Sequence, residues 1–326
     1  ARYVTDMVGR FNLTVNSHVV EVAANDGYLL QYVKALNIPC TGVEPTASTA
    51  AAARAKGITI VEDFFGVRLG KELATQGKQA DLIVANNVLA HVPDINDFVA
   101  GFAKLLKPNG VATFEFPHLL RLVSGNQFDT IYHEHFSYLS LTAVNRIFEA
   151  KGLTLFDLEE LPSHGGSLRV FAQRSDAGQQ VCSPRVDEML QYEAEAGMLG
   201  ANYYTGFQAK TDQVKNDFLA FLLQAKNQGK TLAAYGAAAK GNTLMNYAGI
   251  RPDLISFVVD RNPAKQGKTM PGSRIPIVDE QWLRQEKPDY VVILPWNLKA
   301  EVMQQLDYAR VWGGRFVTAV PGLQIE

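Results

Sequence analysis

The chain has 326 residues, of which 47% are hydrophobic and 20% are charged, and its formal net charge is -2. This balance excludes wholesale disorder, and the length fits about two domains. Because the chain has no long run of Lys or Arg and no apolar run of roughly 20 residues, we expect neither a nucleic-acid partner nor a membrane anchor.

The two cysteines, Cys40 and Cys182, lie too far apart in sequence to suggest a disulfide framework or a zinc cluster. We therefore expect reduced thiols in a cytoplasmic protein. No basic-then-apolar signal segment opens the chain. It starts at Ala1, and residues 2–11 already have a helix pattern, so we expect that further residues precede them in the natural protein.

The first half of the chain alternates short apolar strands with helix patterns. This alternation is typical of a mostly parallel sheet with helices on both faces. A later helix, at residues 141–150, is followed by two strands that we expect to pair antiparallel at the sheet edge. The predicted strands span residues 18–23, 40–43, 58–61, 81–85, 111–116, 153–158 and 168–172. The helices predicted between the first five of these strands span residues 28–36, 47–56 and 95–106.

A polar stretch at residues 174–184 predicts a domain boundary. We place the first domain at residues 1–178 and the second at residues 179–326. The second domain begins with a long helical region, at about residues 185–226, and then alternates again. Its predicted strands span residues 231–235, 255–259, 290–294 and 316–320.

Side chains at the carboxyl ends of the first four strands predict a cofactor site. The first strand runs into a turn that ends in Asn-Asp-Gly, which lets a ligand approach the backbone. A carboxylate about 20 residues on can accept hydrogen bonds from both hydroxyls of an adenosine ribose. The third strand is followed by an acidic and aromatic triplet suited to an adenine ring, and the fourth by two asparagines. The candidate residues are Glu21, Ala23, Asn25, Asp26, Gly27, Glu44, Pro45, Asp63, Phe64, Phe65, Asn86 and Asn87.

Each of these features alone also fits an ordinary turn, a helix cap or a solvated loop. Their order, one at each strand end, favours a shared ligand. The glycines do not spell G-x-G-x-x-G, which disfavours a dinucleotide in this domain.

The stretch from Glu21 to Gly27 resembles motif one of class I S-adenosylmethionine (SAM)-dependent methyltransferases. Further strings make the whole chain similar to the sugar C-methyltransferases that act on dTDP-linked 4-keto-6-deoxy sugars. The resemblance implies a Rossmann-like SAM domain followed by a smaller Rossmann-like domain, SAM as cofactor and S-adenosylhomocysteine as product. The strings are DLIVANNVLAHVPD at 81–94, FPHL at 116–119, YHEH at 132–135, HGGS at 164–167 and YGAAAKGNT at 235–243.

The segment FDTIYHEH at 128–135 is rich in groups for acid–base chemistry. Methylating a carbon next to a ketone requires a base for the α-proton and stabilisation of the enolate oxygen, and histidine can act as base near neutral pH. The resemblance implies that His135 is the base, Glu134 its carboxylate partner, Tyr132 a hydroxyl near the sugar and His91 a second active-site histidine. His133 receives no role. Zinc ligation by this segment is an alternative, but its spacing is not His-Glu-x-x-His.

The string GAAAKGNT follows a predicted strand and opens a helix in the second domain. Backbone N–H groups at a helix start, with a lysine, can hold a phosphate, so we expect the nucleotide-sugar substrate here. Asp260 lies where a dinucleotide site places its acidic residue, which leaves a nicotinamide cofactor open. The candidate substrate residues are Tyr235, Lys240, Asn242, Thr243 and Arg261.

Family members usually carry an N-terminal zinc module, which this sequence does not contain, so we expect zinc only in a missing module and leave the activity of this chain open. Three other functions remain open on the residues alone. They are an O- or N-methyltransferase acting on a sugar or small metabolite, an NAD-dependent sugar oxidoreductase, and a nucleotide-binding module without catalysis.

Overall fold

The computed structural model describes residues 1–326, which form two compact units. Unit 1 comprises Ala1–Leu119 and His135–Leu199, and unit 2 comprises Leu120–Glu134 and Gly200–Glu326. Unit 2 is therefore discontinuous in sequence. We call residues 120–134 the inserted segment.

The chain contains twelve α-helices and thirteen β-strands. The helices are α1 (Arg2–Phe11), α2 (Leu30–Ala35), α3 (Ala47–Ala55), α4 (Val67–Thr75), α5 (Ile95–Leu105), α6 (Leu119–Ser124), α7 (Leu141–Ala150), α8 (Pro184–Glu195), α9 (Phe207–Asn227), α10 (Ala239–Tyr247), α11 (Glu280–Glu286) and α12 (Lys299–Gln305). The strands are β1 (Val19–Val22), β2 (Cys40–Val43), β3 (Thr59–Val61), β4 (Ala80–Asn86), β5 (Leu106–Pro117), β6 (Leu153–Leu161), β7 (Ser167–Arg174), β8 (Leu232–Tyr235), β9 (Val258–Val259), β10 (Ile277–Val278), β11 (Tyr290–Ile293), β12 (Arg315–Thr318) and β13 (Gln324–Ile325). Every helix is too short or too polar to cross a bilayer.

The sheet of unit 1 has the order β3-β2-β1-β4-β5-β7-β6, with β7 antiparallel to both of its neighbours. Helices cover both faces, so consecutive residues of β1 are all buried. Val19 packs with Val4 and Met7 of α1, whereas Val20 belongs to the core on the opposite face, which contains Phe102 and Phe114. The predicted alternating sheet with an antiparallel edge pair is confirmed.

The sheet of unit 2 has the order β10-β9-β8-β11-β12-β13, in which only β13 is antiparallel. Its first strand is central, its second and third lie on one side, and its fourth and fifth lie on the other, as in unit 1. Phe218 and Leu222 of α9 are fully buried in its core. The predicted second α/β domain is therefore present.

Helix α8 belongs to unit 1, where Val186 and Met189 join the core. The predicted domain boundary at 178/179 lies before this helix, and the division at Leu199 and Gly200 lies after it. The predicted long helix at 185–226 is wrong in one respect, because α8 and α9 are separate helices. Gly197 follows the end of α8 with a φ of 88°, a left-handed conformation that ends helices.

Candidate functional site

The buried carboxylate of Glu21 lies on β1, the central strand of unit 1. It is paired in register with Val84 of β4 and Gly42 of β2. Ligands of such sheets bind at the strand ends where the order reverses, which here is between β1 and β4. Glu21 is 1% exposed and its Oε2 atom has no hydrogen-bond partner. Burial, reinforced by the charge of Asp26, raises the pKa of Glu21 well above its usual value.

The turn after β1 contains three residues in left-handed backbone conformations. Ala23, Asn25 and Gly27 have φ values of 58°, 48° and 74°. Such values are uncommon for a residue other than glycine, and local strain of this kind is frequent at binding sites. A Cβ atom on Gly27 would lie 2.3 Å from Cδ1 of Ile58, and the positive φ of this residue also favours glycine. Asp26 points away and forms an ion pair with Lys56 at 2.7 Å.

Glu44 lies just after β2 and is 4% exposed. Its two carboxylate oxygens accept hydrogen bonds from the backbone N–H groups of Asn25 at 3.0 Å and Thr46 at 2.8 Å. These bonds fix the carboxylate between the turn and α3. Each oxygen keeps a further lone pair, so the carboxylate can still accept two hydroxyl groups. Pro45, which follows it, is exposed.

The triplet after β3 is divided between the surface and the core. Phe65 makes edge contacts with Phe98 and Phe102, with ring centroids 5.8 Å and 4.9 Å away. Phe65 is half-buried against these core rings, and its role as part of an aromatic wall stays a prediction. Phe64 is 78% exposed and is available for stacking. The carboxylate of Asp63 is paired with Arg68 at 2.7 Å.

Two asparagines end β4, and both have buried Oδ1 atoms without a partner. The N–H of Asn87 donates to the Glu115 carbonyl at 2.8 Å, and the Asn86 side chain is hydrogen-bonded to the hydroxyl of Tyr28. Together with Glu21 Oε2, this strand edge has three unpaired acceptors. SAM fits this set because its ammonium, ribose and adenine groups all carry hydrogen-bond donors. The helix pattern at residues 28–36 gives no sign of this contact of Tyr28.

A row of charged side chains crosses the same end of the sheet, also unpredicted. Asn86 is in register with Glu115, Glu115 with Arg169, and Arg169 with Glu159. Cross-strand partners face the same side of a sheet. Arg169 accordingly donates to Glu115 at 2.9 Å and to Glu159 at 3.0 Å, and it lies 4.7 Å from the ring of Tyr3. No sequence pattern marks these residues, because the register of distant strands brings them together.

Two of the predicted catalytic residues meet in unit 1. The rings of His91 and His135 have centroids 4.7 Å apart at an angle of 69°, and both are half-buried. His91 ends a short 3-10 turn after β4, and the neighbouring Ala90 carbonyl accepts the N–H of Phe136 at 2.8 Å. This bond holds the chain after His135 against the turn that carries His91.

The other two predicted catalytic residues lie in the inserted segment of unit 2. Tyr132 is half-buried, whereas Glu134 is exposed, as is His133. No group of three or more His, Cys, Asp or Glu side chains in the chain has the arrangement of a metal site.

The helix start in unit 2 gathers polar groups around Lys240. Its Nζ lies 4.7 Å from the ring of Trp296 and 3.4 Å from Oδ1 of Asn297. Burial lowers the pKa of Lys240, while the charge of Asp129 opposes that shift. The Oδ1 atom of Asn242 is buried without a partner. These groups suit an anion with additional donors.

The remaining predicted substrate residues are paired within unit 2. Thr243 donates to the Ala239 carbonyl at 3.2 Å, and Tyr235 donates to Gln305 at 3.3 Å. Arg261 bonds to Glu280 at 3.1 Å.

The acidic residue considered for a dinucleotide, Asp260, is paired as well. It accepts the backbone N–H of Ala237 at 2.8 Å and also bonds to Lys265 at 3.3 Å. This carboxylate therefore closes the turn after β8, as Glu44 closes the turn after β1.

Comparisons with known proteins cover nearly the whole chain. A methyltransferase domain model matches residues 2–158, and the model of a C-methyltransferase C-terminal domain matches residues 162–321. C-methyltransferase NovU from Streptomyces niveus is 36% identical over 314 residues, which make up 96% of this chain and 74% of that protein.

Among solved structures, magnesium protoporphyrin IX methyltransferase from Synechocystis PCC 6803 with bound SAM is 15% identical, with a TM-score of 0.41 over 53% of this chain and 77% of that chain. The 1,6-didemethyltoxoflavin-N1-methyltransferase from Burkholderia thailandensis is 16% identical, with a TM-score of 0.39 over 53% of this chain and 76% of that chain. The extended identity with NovU and the matching domain models show that the chain belongs to the C-methyltransferase family.

Proposed function

We propose that this enzyme methylates the carbon next to the ketone of a dTDP-linked 4-keto-6-deoxy sugar, with His135 as general base. The observation that carries the proposal is the contact between the imidazole rings of His91 and His135, whose centroids lie 4.7 Å apart in the unit that contains the predicted cofactor residues. Carbon methylation requires a base for the C–H proton, and an imidazole can accept it near neutral pH.

S-adenosylmethionine is the methyl donor, and when bound it supplies an electrophilic methyl group. Residues at the strand ends of unit 1 would bind its ribose, its adenine and its remaining hydrogen-bond donors. Glu44 accepts the ribose hydroxyls, and Phe64 stacks on the adenine. Glu21 and the two asparagines after β4 accept hydrogen bonds from the remaining donors, because their buried oxygens have no other partner.

His135 takes the α-proton of the keto sugar onto a ring nitrogen. The family resemblance gives Glu134 the role of its carboxylate partner, which favours the protonated imidazole that results. The Tyr132 hydroxyl and the His91 ring supply hydrogen bonds to the sugar, where negative charge develops on the ketone oxygen.

The nucleotide part of the substrate is assigned to unit 2. The backbone N–H groups at the start of α10 and the ammonium of Lys240 offer positive charge to a diphosphate. The ammonium of Lys240 also contacts the Trp296 ring and the Asn297 amide oxygen.

The test of this function uses SAM carrying a carbon-13 methyl group, a dTDP-4-keto-6-deoxy sugar and carbon NMR of the product. We expect the label in a methyl group bonded to the carbon next to the ketone. Label on oxygen or nitrogen would show that the chain is a methyltransferase of another kind and would contradict the carbon-acid mechanism.

The cofactor assignment predicts that Glu44→Gln weakens SAM binding about 10- to 100-fold, the range for a lost hydrogen bond to a charged group. The amide keeps the size of the side chain but removes the negative charge and one acceptor oxygen. Isothermal titration with SAM measures the effect. Glu62→Gln is the matched control, because Glu62 pairs only with Arg54 at the surface in the same unit and should leave the affinity unchanged. Equal affinities in the two variants would remove Glu44 from the cofactor site.

A further inference from the structure

The inserted segment is anchored in unit 2 immediately before its catalytic motif. Phe128 is 5% exposed, packs in the core of the unit and lies 5.5 Å from the ring of Tyr247. Asn126 donates to the Lys210 carbonyl at 3.0 Å and accepts the Thr211 hydroxyl at 3.1 Å. The inserted segment is therefore held in unit 2 at Asn126 and at Phe128, both of which precede Tyr132.

Asp129 is the third anchor of the inserted segment, and its environment is unusual for a carboxylate. The residue has no exposed surface. Its Oδ2 atom accepts the indole N–H of Trp296 at 2.7 Å, and its Oδ1 atom has no hydrogen-bond partner. Burial raises the pKa of Asp129 to about 6, although the bond from Trp296 and the charge of Lys240 act in the opposite direction.

A buried carboxylate with an unsatisfied oxygen is a poor way to stabilise a fold. Replacing such a group and its partner by apolar side chains of similar size is often neutral or stabilising. Packing alone therefore does not explain why this residue is an aspartate. A role in positioning the inserted segment would explain it.

The partner of Asp129 also contacts the lysine that we assign to the substrate diphosphate. Trp296 follows β11, and its ring lies under Lys240 at the start of α10. The indole thus contacts Lys240 through its face and Asp129 through its N–H. Asp129 lies three residues before Tyr132 and five residues before Glu134 in the sequence.

We propose that Asp129 is a positioning residue for methyl transfer, which ties the segment bearing Tyr132 and Glu134 to Trp296 and Lys240. Through this tie, the nucleotide-binding helix start and the reaction segment keep one geometry within unit 2. The inference rests on the proposed function for its kinetic readout, but the tie itself can be measured without any substrate.

The kinetic test uses Asp129→Leu combined with Trp296→Phe, which removes both hydrogen-bonding partners and keeps apolar side chains in their place. We expect this double variant to unfold at the same or a higher urea concentration than the wild type, whereas its kcat with a dTDP-4-keto-6-deoxy sugar falls about 10- to 100-fold, as expected for a displaced reacting group. Asp129→Asn keeps an acceptor for the indole N–H and should retain most of the activity. A double variant with the kcat of the wild type would overturn the proposal.

The substrate-free test is hydrogen exchange of the Ile131 amide, which donates to the Phe128 carbonyl at 2.9 Å in the wild type. We expect at least threefold faster exchange in the double variant. Trp312→Phe is the control, because it removes the indole N–H that donates to the Pro288 carbonyl at 3.1 Å elsewhere in unit 2, and it should leave both exchange and kcat unchanged. Faster exchange in a protein that methylates no keto sugar would refute the proposed function and retain the tie, whereas unchanged exchange would refute the tie.

Discussion

His135→Ala is expected to lower the rate of methyl transfer to the keto sugar about 10²- to 10⁴-fold, the usual contribution of a general base. The ring of His135 contacts His91 and lies 5.9 Å from the ring of Tyr138, so its removal affects the proton-accepting group and little of the core. The affinity for SAM should stay within about twofold of the wild type, because cofactor contacts come from the strand ends. Single-turnover kinetics with saturating SAM measures the rate.

The matched control is His133→Ala. His133 is exposed, lies two residues away and receives no role. We expect this variant to retain the wild-type rate. A His135→Ala enzyme that is equally fast would show that another group takes the proton, and a loss of SAM binding in that variant would instead place His135 in the cofactor site.

Glu193→Ala is expected to destabilise the folded chain by about 3–5 kcal/mol, as does the loss of one partner of a buried charged network. Glu193 is fully buried on α8 and bonds to the His118 ring at 2.6 Å. It also accepts the N–H groups of Leu141 and Thr142 at 2.6 Å and 2.8 Å, and the Thr142 hydroxyl at 2.6 Å. Alanine leaves these donors buried without an acceptor. Urea unfolding followed by circular dichroism measures the difference.

This contribution should also depend on pH in a defined direction. Burial alone would raise the pKa of Glu193, but the hydrogen bonds from His118, Thr142 and Leu141 outweigh it and hold the pKa below its usual value. A carboxyl group whose pKa is lower in the folded state stabilises the fold above its unfolded pKa, and that stabilisation is lost as the pH falls through the folded pKa. The gap between wild type and Glu193→Ala should therefore be full at pH 7 and shrink below about pH 4.5.

Glu195→Ala is the control for this measurement. Glu195 is exposed on the same helix and bonds only to Gln191 one turn away, so its loss should cost under about 0.5 kcal/mol. Equal stabilities of the two alanine variants would show that the buried network contributes nothing net.

Much of the fold follows from local sequence patterns. Strands such as Val19–Val22 are short, mostly apolar and bounded by turns, so their places along the chain could be predicted. Residues 107–110 contain Pro, Asn and Gly, which are common in turns, yet they lie within β5. The pairing of β4 and β5 shifts register there, between Ala80 and Leu82, which no local pattern reveals.

The candidate site divides in the same way. Glu44 and the turn before Gly27 follow strand ends, and the topology alone brings them together. Phe64 and Phe65 are adjacent and chemically identical, so only the packing of Phe65 against Phe102 shows which one remains at the surface. Asp129 and Trp296 are 167 residues apart, and their hydrogen bond depends on the fold of unit 2.

The discontinuity of unit 2 restricts how this protein can change by recombination. A crossover after Leu199 would combine the inserted segment of one parent with the remainder of unit 2 from the other, so that Phe128 and Tyr247 would come from different parents. By the same exchange, Asn126 and Asp129 of one parent would face the residues at positions 211 and 296 of the other. The two halves of the gene are therefore expected to be inherited together, and a change of substrate is expected to arise by substitutions within both rather than by replacement of one.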